Sequence, residues 1–409
     1  MKLNLCWTRD KSKDEMDIVK AIDDSKDAIK CVDMHTTGEP TRIVYSGFPK
    51  LEGTLLEQRE TAMDKYDHLR KRIMLEPRGH FDMYGAILVP ETELTKSGNA
   101  HMGTLFTHNG GFSTMCGHAT IAMSRFLVDT HDLNVFPKRD ELKLDKPTQT
   151  VQVNLHAPCG LVRVTVPTTA DGQKSDPTRS VSFLSTPAYA AAKKLEIPIP
   201  SGIRWPELGA RTSISIDLSY GGAFYALIEA KELGFESGLK KIDVDSISSV
   251  IRKLKPYLCS QPDILDAIQH PEDKRLSFLY SIMVVDYSTG VVPPEAEGAE
   301  TGLCYFADSQ IDRSPTGSCV TARMALAHSK GCRPLGQKWA FNSLVSNHFG
   351  TGAFCAEIVE TTKLEGPAAP SKDAVIVKVE GKGYYTGTVN FILEEGDITD
   401  GFTMKSVSS

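Results

Sequence analysis

The sequence lacks the patterns that mark several common classes of protein. Its nine cysteines include no CxxC pair, its eleven histidines include no HExxH motif, and no glycine-rich nucleotide loop is present. These absences argue against a structural zinc site, a zinc hydrolase and a nucleotide-dependent enzyme. No stretch reaches the roughly 18 consecutive apolar residues that a membrane helix needs. We therefore expect no metal, no organic cofactor and no membrane partner.

A large excess of charge of one sign is also missing. The 46 basic and 52 acidic side chains give a formal net charge of -6, which gives no reason to expect nucleic acid as a partner. The odd number and wide spacing of the cysteines argue against a disulfide framework. The apolar stretch at the N-terminus is too short for a secretory signal. We expect a non-secreted, cytoplasmic protein, with an organelle as the open alternative.

The chain of 409 residues is long enough for two domains, and its periodicity favours strands over helices. Residues 245–258 carry apolar side chains at helical spacing, with Asp243 or Asp245 as a possible cap. Strands with few intervening helices predict an α+β fold. The predicted strands are Val151–Leu155, Leu161–Val166, Ser213–Leu218, Ser281–Tyr287 and Ala374–Val379.

Two short segments resemble each other at an offset of 200 residues. Residues 115–122 read MCGHATIA and residues 315–322 read PTGSCVTA, and each is a glycine-containing turn that leads into a run of small residues. A weaker match links Tyr84-Gly-Ala with Tyr220-Gly-Gly. Two related halves would explain both matches, and chance similarity is the alternative. The pattern predicts one helix N-terminus in each half.

The first of these segments offers a reactive cysteine. Cys116 precedes a run compatible with a helix, and a helix N-terminus lowers the pKa of a thiol beside it. The N–H groups of Gly117 and His118 can hold an anion such as a carboxylate. The alternative is a buried cysteine that only packs inside a helix.

The second segment offers a matching set of groups. Pro315 stands where helices commonly begin, and Gly317 and Ser318 supply a second pair of N–H groups. A carboxylate between two helix N-termini would receive several charge-assisted hydrogen bonds. Asp312 can accept a hydrogen bond from an amine, or it can be a turn or capping aspartate.

Two histidines lie in turn-like sequences that contain glycine and proline. They are His35, in HTTGEP, and His80, in PRGHFDMY. Either is a candidate site residue, and a hydrogen-bonded structural role is the alternative for both.

Six motifs in a fixed order carry a resemblance to a known family. They are HTTGEP from His35, PRGH from Pro77, DMYG from Asp82, MCGH from Met115, YGG from Tyr220, and DRSPxG from Asp312. In this order, from about residue 31 to residues 401–402, the sequence resembles the proline racemase family. The resemblance implies two pseudo-symmetric α/β halves, each with sheet around a central helix, and an active site in the cleft between them. It also implies a homodimer, an imino-acid substrate and no cofactor.

The resemblance also assigns roles to the two helix starts. Racemases and epimerases of this family place one cysteine in MCGH and a second at x of DRSPxG, on opposite faces of the substrate ring. This chain keeps Cys116 but has Thr316 at the second position, and a threonine hydroxyl is too weak an acid to replace a thiolate. The pattern resembles the family members that dehydrate trans-3-hydroxy-L-proline.

Such a dehydratase would use Cys116 as its single base. The thiolate would remove the Cα proton, and β-elimination of water would give Δ1-pyrroline-2-carboxylate. The four N–H groups of the helix starts would hold the carboxylate, and Asp312 with His118 would orient the ring nitrogen. Tyr84 and Phe306 match apolar pocket positions of the family, with ordinary core packing as the alternative.

Other interpretations stay open at this point. A 4-hydroxyproline epimerase or proline racemase could have recruited Cys319, which replaces a glycine common in the family. A non-catalytic imino-acid-binding homologue could keep the carboxylate site, and a metal-dependent hydro-lyase lacks ligands. We divide the chain into an N-terminal extension (1–30), a first half with Cys116 (31–205) and a second half with Asp312–Ser318 (206–409). Extra sequence lies between about 168 and 275, and the C-terminal strands could return to the first half.

Overall fold

The computed structural model describes residues 18, 22, 28–394 and 396–407. The predicted N-terminal extension therefore lies outside the described residues except for 18, 22 and 28–30. The helices are α1 (Leu55–Lys65), α2 (Asp67–Met74), α3 (Glu93–Lys96), α4 (Gly117–Asp129), α5 (Val244–Leu258), α6 (Pro262–Ala267), α7 (Gly317–Ser329), α8 (Leu344–Phe349) and α9 (Met404–Val407).

Strands dominate the described part of the chain, as the periodicity predicts. They are β1 (Ile29–Thr36), β2 (Glu39–Ser46), β3 (Gly85–Val89), β4 (Met102–His108), β5 (Gly111–Ser113), β6 (Leu144–Asp145), β7 (Thr150–Ala157), β8 (Gly160–Pro167), β9 (Val181–Leu184), β10 (Tyr189–Pro198), β11 (Ser213–Tyr220), β12 (Phe224–Glu229), β13 (Leu279–Asp286), β14 (Ala299–Phe306), β15 (Gln310–Ile311), β16 (Trp339–Asn342), β17 (Phe354–Leu364), β18 (Lys372–Gly381) and β19 (Gly383–Phe391).

The elements predicted from periodicity are present. The five predicted strands correspond to β7, β8, β11, β13 and β18, and only Tyr287 falls beyond its strand. The predicted helix is α5, and Asp243 is its cap because its side chain accepts a hydrogen bond from the N–H of Asp245. Amphipathic patterns of this strength fix local structure because one face of each element must be buried.

The strand pairings repeat in two halves. In the first, β1–β2 are antiparallel, β2–β3 parallel, β3–β4 and β4–β5 antiparallel, β4–β7 parallel, and β7–β8 and β8–β9 antiparallel. In the second, β11–β12, β12–β13, β13–β14, β14–β15, β14–β16, β16–β17 and β17–β18 follow the same sequence of directions. The chain is thus built from two pseudo-symmetric halves.

One long helix runs through the sheet of each half. Helix α4 contacts β1, β2, β8, β9 and β19, while α7 contacts β10, β11, β12, β17 and β18. In α4 every residue except Arg125 and Asp129 is buried. A helix surrounded by sheet has to be apolar or small on all faces, which explains the small-residue runs in the two matching segments.

One pairing joins the halves into one sheet, and a second adds the C-terminal strand to the first half. Strand β9 pairs with β18, and the C-terminal strand β19 pairs with β1. The C-terminal strand therefore returns to the first half, which the sequence had left open. Strand β10 lies before residue 205 but pairs with β11 of the second half. The domain boundaries themselves stay a prediction.

Candidate active site

The Cys116 thiol lies at the start of α4. Cys116 is the N-cap residue, with an extended backbone, and its Sγ accepts a hydrogen bond from the Ala119 N–H at 3.4 Å. The residue is buried, with 4% of its surface exposed. The short strand β5 ends just before it and fixes the approach of the chain. The thiol therefore lies at the helix start that the sequence predicts.

Thr316 occupies the equivalent position at the start of α7. Its φ of 64° is in the left-handed region, where a β-branched residue is an outlier. Two hydrogen bonds hold it there, because its hydroxyl donates to Asp312 Oδ2 at 2.8 Å and its N–H donates to Ser314 Oγ at 3.1 Å. Strained residues of this kind persist where the surrounding structure fixes them, often at functional sites.

The two helix N-termini meet at a pair of glycines. A Cβ atom on Gly117 would lie 2.5 Å from Gly317 Cα, and one on Gly317 would lie 2.9 Å from Gly117 Cα. Only glycine allows this approach. First-turn N–H groups of a helix have no carbonyl of a preceding turn to bind. The N–H groups of residues 117, 118, 317 and 318 are thus brought together at the junction of the halves.

A small cavity lies at this junction, and all nine sequence-predicted site residues line it. Three further residues that were not predicted as site residues complete the lining: Met115, Tyr225 and Tyr280. The full lining is Tyr84, Met115, Cys116, Gly117, His118, Tyr225, Tyr280, Phe306, Asp312, Thr316, Gly317 and Ser318.

His118 lies between the thiol and the Asp312 carboxylate. Its Nδ1 is 3.2 Å from Cys116 Sγ and 3.9 Å from Asp312 Oδ2. Burial lowers the pKa of His118, while Asp312 and a hydrogen bond to the Pro40 carbonyl raise it, and the net effect is a lowered value. The imidazole is therefore neutral near pH 7 and can accept a proton or a hydrogen bond.

The electrostatic balance at Cys116 differs from the sequence expectation. Burial raises the pKa of the thiol well above its ordinary value, and the carboxylates of Asp312 and Glu39 raise it further. The Ala119 N–H and the Tyr84 hydroxyl lower the pKa of the thiol, but by less than burial raises it. The expectation of a lowered thiol pKa is thus wrong for the site without substrate, because desolvation outweighs the helix start. A positive charge bound beside the sulfur would favour the thiolate.

Glu39 is a buried carboxyl group behind the Asp312 loop. It is fully buried, and Oε2 accepts a hydrogen bond from the Arg313 N–H at 2.8 Å. Burial and the nearby Asp312 raise its pKa well above the usual value. It lies in the predicted HTTGEP motif, but sequence reasoning did not select it because its burial depends on the opposite half of the molecule.

Sequence matches with known proteins give the family. The family described as proline racemase matches residues 31–403. This chain belongs to the proline racemase family. Trans-L-3-hydroxyproline dehydratase of Mus musculus is 41% identical over 92% of this chain and 95% of its own length. Proline racemase of Clostridioides difficile is 31% identical over 92% of this chain and 98% of its own.

The fold of the family is also found in solved structures. A probable proline racemase from Agrobacterium radiobacter superposes with a TM-score of 0.72 at 24% identity, over 93% of this chain and 97% of that one. The predicted fold, two α/β halves with a helix in each, is therefore confirmed. Within the described residues, no helix is long and apolar enough to cross a membrane.

The family symmetry explains one residue that sequence reasoning missed. Gly85 pairs with Arg42 across the parallel strands β2–β3, and Ser281 pairs with Tyr225 across the equivalent strands β12–β13. Tyr84 directly precedes β3 and Tyr280 is the second residue of the equivalent strand β13, so both tyrosines lie at the start of corresponding strands. The match of Tyr84 with Tyr220 is wrong, because YGG forms the turn between β11 and β12. A gapped alignment of the two halves could have found Tyr280.

Other candidates lie outside the cavity. Cys319 is fully buried one helical step beyond Ser318 and is not among the cavity-lining residues. His35 and His80 line a separate groove. There, His35 Nδ1 accepts a hydrogen bond from the Gly38 N–H at 3.2 Å, and its ring stacks on Tyr384. In the part of the chain that is described, no cluster of three or more potential ligands is arranged for a metal ion.

Proposed function

We propose that this protein dehydrates trans-3-hydroxy-L-proline to Δ1-pyrroline-2-carboxylate, with Cys116 as the base. One observation carries the proposal: the two helix starts face each other with a thiol at Cys116 and a hydroxyl at Thr316. Cys116 is the one thiol among the described residues that line the cavity. The dehydratase relative supports this reading over racemisation, which needs an acid or base on each face of the ring.

The substrate carboxylate would bind between the helix starts. The N–H groups of Gly117, His118, Gly317 and Ser318 would donate to its two oxygens and stabilise the charge that grows there as the Cα proton leaves. The cavity is buried, so these interactions act with little competition from water. The contact of Gly117 with Gly317 brings the donors of both halves to one carboxylate.

The ring nitrogen would bind beside Asp312. As a secondary ammonium it carries the positive charge that the empty site lacks, and Asp312 Oδ2 would accept a hydrogen bond from it. This charge offsets the effect of the Asp312 carboxylate on Cys116 and thereby lowers the pKa of the thiol. Substrate binding and thiolate formation are thus coupled.

The stereochemistry fits a single base. In the trans isomer the Cα hydrogen and the 3-hydroxyl lie on the same face of the ring. Cys116 would take the proton, the C3–O bond would break, and water would leave. The resulting enamine tautomerises to the cyclic imine. Thr316, whose hydroxyl already donates to Asp312, would hold that carboxylate in place.

Several properties of the family come with this proposal. We propose that the protein acts without a metal or organic cofactor, as a homodimer in the cytoplasm, on a small imino acid. The mechanism above needs no group beyond the side chains and N–H groups of the cavity.

The test is direct turnover. Purified protein is incubated with trans-3-hydroxy-L-proline, the mixture is reduced with borohydride, and proline formed from the cyclic imine is measured by chromatography. The proposal predicts substrate-dependent proline in both enantiomeric forms. Epimerisation of 4-hydroxyproline without imine formation would make the protein an epimerase. Binding without any turnover would make it a binding protein.

A further inference from the structure

Loss of water from C3 leaves one chemical problem that the groups above do not solve. Hydroxide is a poor leaving group because water is a very weak acid, with a pKa of about 15.7 in bulk. A proton or a strong hydrogen bond has to reach the departing oxygen in the transition state. The donor has to lie on the face of the ring that Cys116 attacks, since the 3-hydroxyl shares that face.

A tyrosine hydroxyl is present at this place. Tyr84 lies beside the Cys116 sulfur, and only 2% of its surface is exposed. Its ring is held edge-on against His118, with 4.7 Å between ring centroids, and against Phe306, at 5.8 Å. Among the described residues, its hydroxyl makes no hydrogen bond of good distance and angle, although it is close enough to the Cys116 thiol and to Ser113 for a weak interaction. A buried polar group without a partner is costly and needs an explanation.

Two other tyrosines line the cavity, Tyr225 and Tyr280. The Tyr280 hydroxyl is not among the buried hydroxyls that lack a partner, and the Tyr225 hydroxyl is already occupied. The Tyr225 hydroxyl lies 2.6 Å from Ser318 Oγ, and this hydrogen bond connects it to the start of α7. Tyr225 is therefore a structural neighbour of the Thr316 side of the cavity. Tyr84 is on the Cys116 side, and its hydroxyl is available to a ligand.

Resting on the proposed function, we propose that the Tyr84 hydroxyl donates a proton to the 3-hydroxyl of the substrate as it leaves. Tyr84 is then a catalytic residue. It also contributes to specificity, because its hydroxyl would contact the 3-hydroxyl oxygen, which proline lacks. The apolar ring fills the pocket, as the family resemblance implies, and the hydroxyl adds the leaving-group chemistry.

The protons and electrons balance within the cavity. Cys116 takes the Cα proton, the C–H electrons form the Cα–C3 double bond, and the C3–O electrons leave with oxygen. Tyr84 gives its proton to that oxygen, and water forms. The proton on the Cys116 thiol then passes to the adjacent tyrosinate, which regenerates both the thiolate and the Tyr84 hydroxyl. The net change is the loss of one water molecule, and the Cα proton replaces the proton that Tyr84 gave to the leaving oxygen.

The protonation state agrees with this role. Burial raises the pKa of Tyr84 well above its ordinary value, and the neighbouring Cys116 raises it further. Tyr84 therefore keeps its proton at neutral pH and is a donor at the start of each turnover.

The test compares two leaving groups in the Tyr84→Phe variant. Chloride needs no proton to leave, so the rate of elimination from trans-3-chloro-L-proline should depend little on Tyr84. We expect kcat/KM for trans-3-hydroxy-L-proline to fall about 100-fold or more, within the usual range for general acid catalysis. For the chloro compound we expect a loss of less than about 10-fold. Equal losses on both substrates, or an unchanged rate on the hydroxy substrate, would overturn the proposal.

A matched variant controls for the loss of a buried hydroxyl. Tyr189 is also buried with an unpartnered hydroxyl, but it lies on β10 away from the cavity. Tyr189→Phe should leave both rates unchanged, and a loss like that of Tyr84→Phe would overturn the assignment. Both variants should unfold at or above the wild-type temperature, because no hydrogen bond is removed.

Two further readouts separate this inference from the proposed function. Wild-type protein that produces no imine from trans-3-hydroxy-L-proline would overturn the proposed function, whatever Tyr84 does. If wild type exchanges the Cα hydrogen of L-proline for deuterium, Tyr84→Phe should keep that exchange to within about 10-fold, since no leaving group is involved and only the small effect of the hydroxyl on the Cys116 pKa is lost. Loss of the exchange in this variant would show that Tyr84 acts through Cys116, which would overturn its role as leaving-group donor.

Discussion

The Cys116 side chain differs from a serine side chain in acidity much more than in shape. A thiolate is accessible near neutral pH once a substrate cation lies beside it, whereas a serine alkoxide is not. We predict that Cys116→Ser abolishes dehydration, with a loss of kcat of at least about 1,000-fold, while the melting temperature changes by only a few degrees. Exposed Cys332 supplies the control, because Cys332→Ser should be fully active. Turnover by Cys116→Ser at a rate near that of wild type would refute the one-thiolate mechanism.

At the opposite helix start, a single substitution should restore the second base. Thr316→Cys places a thiol on the other face of the ring, where it could reprotonate the carbanion. We predict a gain of Cα epimerisation on proline or 4-hydroxyproline, measured by optical rotation and deuterium incorporation, while dehydration persists. The gain should be small, because an error of about 1 Å in thiol position can cost about 100-fold. If wild type already epimerises 4-hydroxyproline and Cys319→Gly removes that activity, Cys319 is the second base instead.

Between elements, the contact of α4 with α7 depends on the absence of two side chains. A methyl group on Gly117 would lie 2.5 Å from Gly317 Cα, which is backbone and cannot rotate away. We predict that Gly117→Ala separates the helix starts and lowers kcat/KM by about 100-fold or more. Calorimetry should show weaker binding of pyrrole-2-carboxylate, whose planar Cα resembles the deprotonated intermediate. Gly387→Ala is the control, because a methyl group at that position of β19 meets no atom within 4 Å.

The first residue of β2, Glu39, carries a second element-scale prediction, on pH. The folded-state pKa of Glu39 is raised by burial and by Asp312, so the folded protein binds a proton that the unfolded chain releases near pH 4.5. The contribution of this proton to the free energy of unfolding is fully present below that pH. It is lost as the pH rises toward the folded-state pKa of Glu39. The side chain in the Glu39→Gln variant cannot ionise, so the variant does not lose this contribution to stability at higher pH.

We therefore predict that the melting temperature of Glu39→Gln, relative to wild type, increases between pH 4.5 and pH 8. Thermal unfolding at a series of pH values measures the difference. The glutamine can still accept the hydrogen bond from the Arg313 N–H, so the variant should remain active. A difference in melting temperature that does not change with pH would mean that Glu39 ionises normally in the fold.

For the whole molecule, the proposed mechanism uses only side chains and N–H groups of the two halves. We predict that exhaustive chelation and dialysis leave the activity intact, while a thiol alkylating reagent removes it and pyrrole-2-carboxylate protects. The exposed thiols of Cys259 and Cys332 will also react, so alkylation of Cys116 has to be followed by peptide mass spectrometry. Activity lost to EDTA and restored by a divalent ion would place the protein in another mechanistic class.

The arrangement of the halves explains why the site lies where it does. The first half supplies Cys116, His118 and Tyr84, and the second supplies Asp312, Phe306 and the start of α7. Pairing of β9 with β18 makes the sheet continuous, and the C-terminal strand β19 pairs with β1 of the first half. The N-termini of α4 and α7 together therefore form one wall of the cavity. Each half supplies one of them, so neither half could form this wall alone.

Local features of this protein were determined by its sequence. The alternating strands, the helix at 244–258 with its Asp243 cap, and the two glycine turns before α4 and α7 follow from patterns within a few residues of each other. Such patterns act through local backbone preferences and through the need to bury one face of each element. The ordered motifs were also sufficient to predict the family, and with it nine of the twelve residues that line the cavity.

Features that depend on distant contacts were decided only by the tertiary structure. The burial of Glu39 and the raised pKa of Cys116 both require the two halves to be in place. The sequence placed the thiol at a helix start and so predicted a lower pKa, but the depth of burial set the balance. Desolvation is a property of the whole surrounding fold, and no short stretch of sequence specifies it.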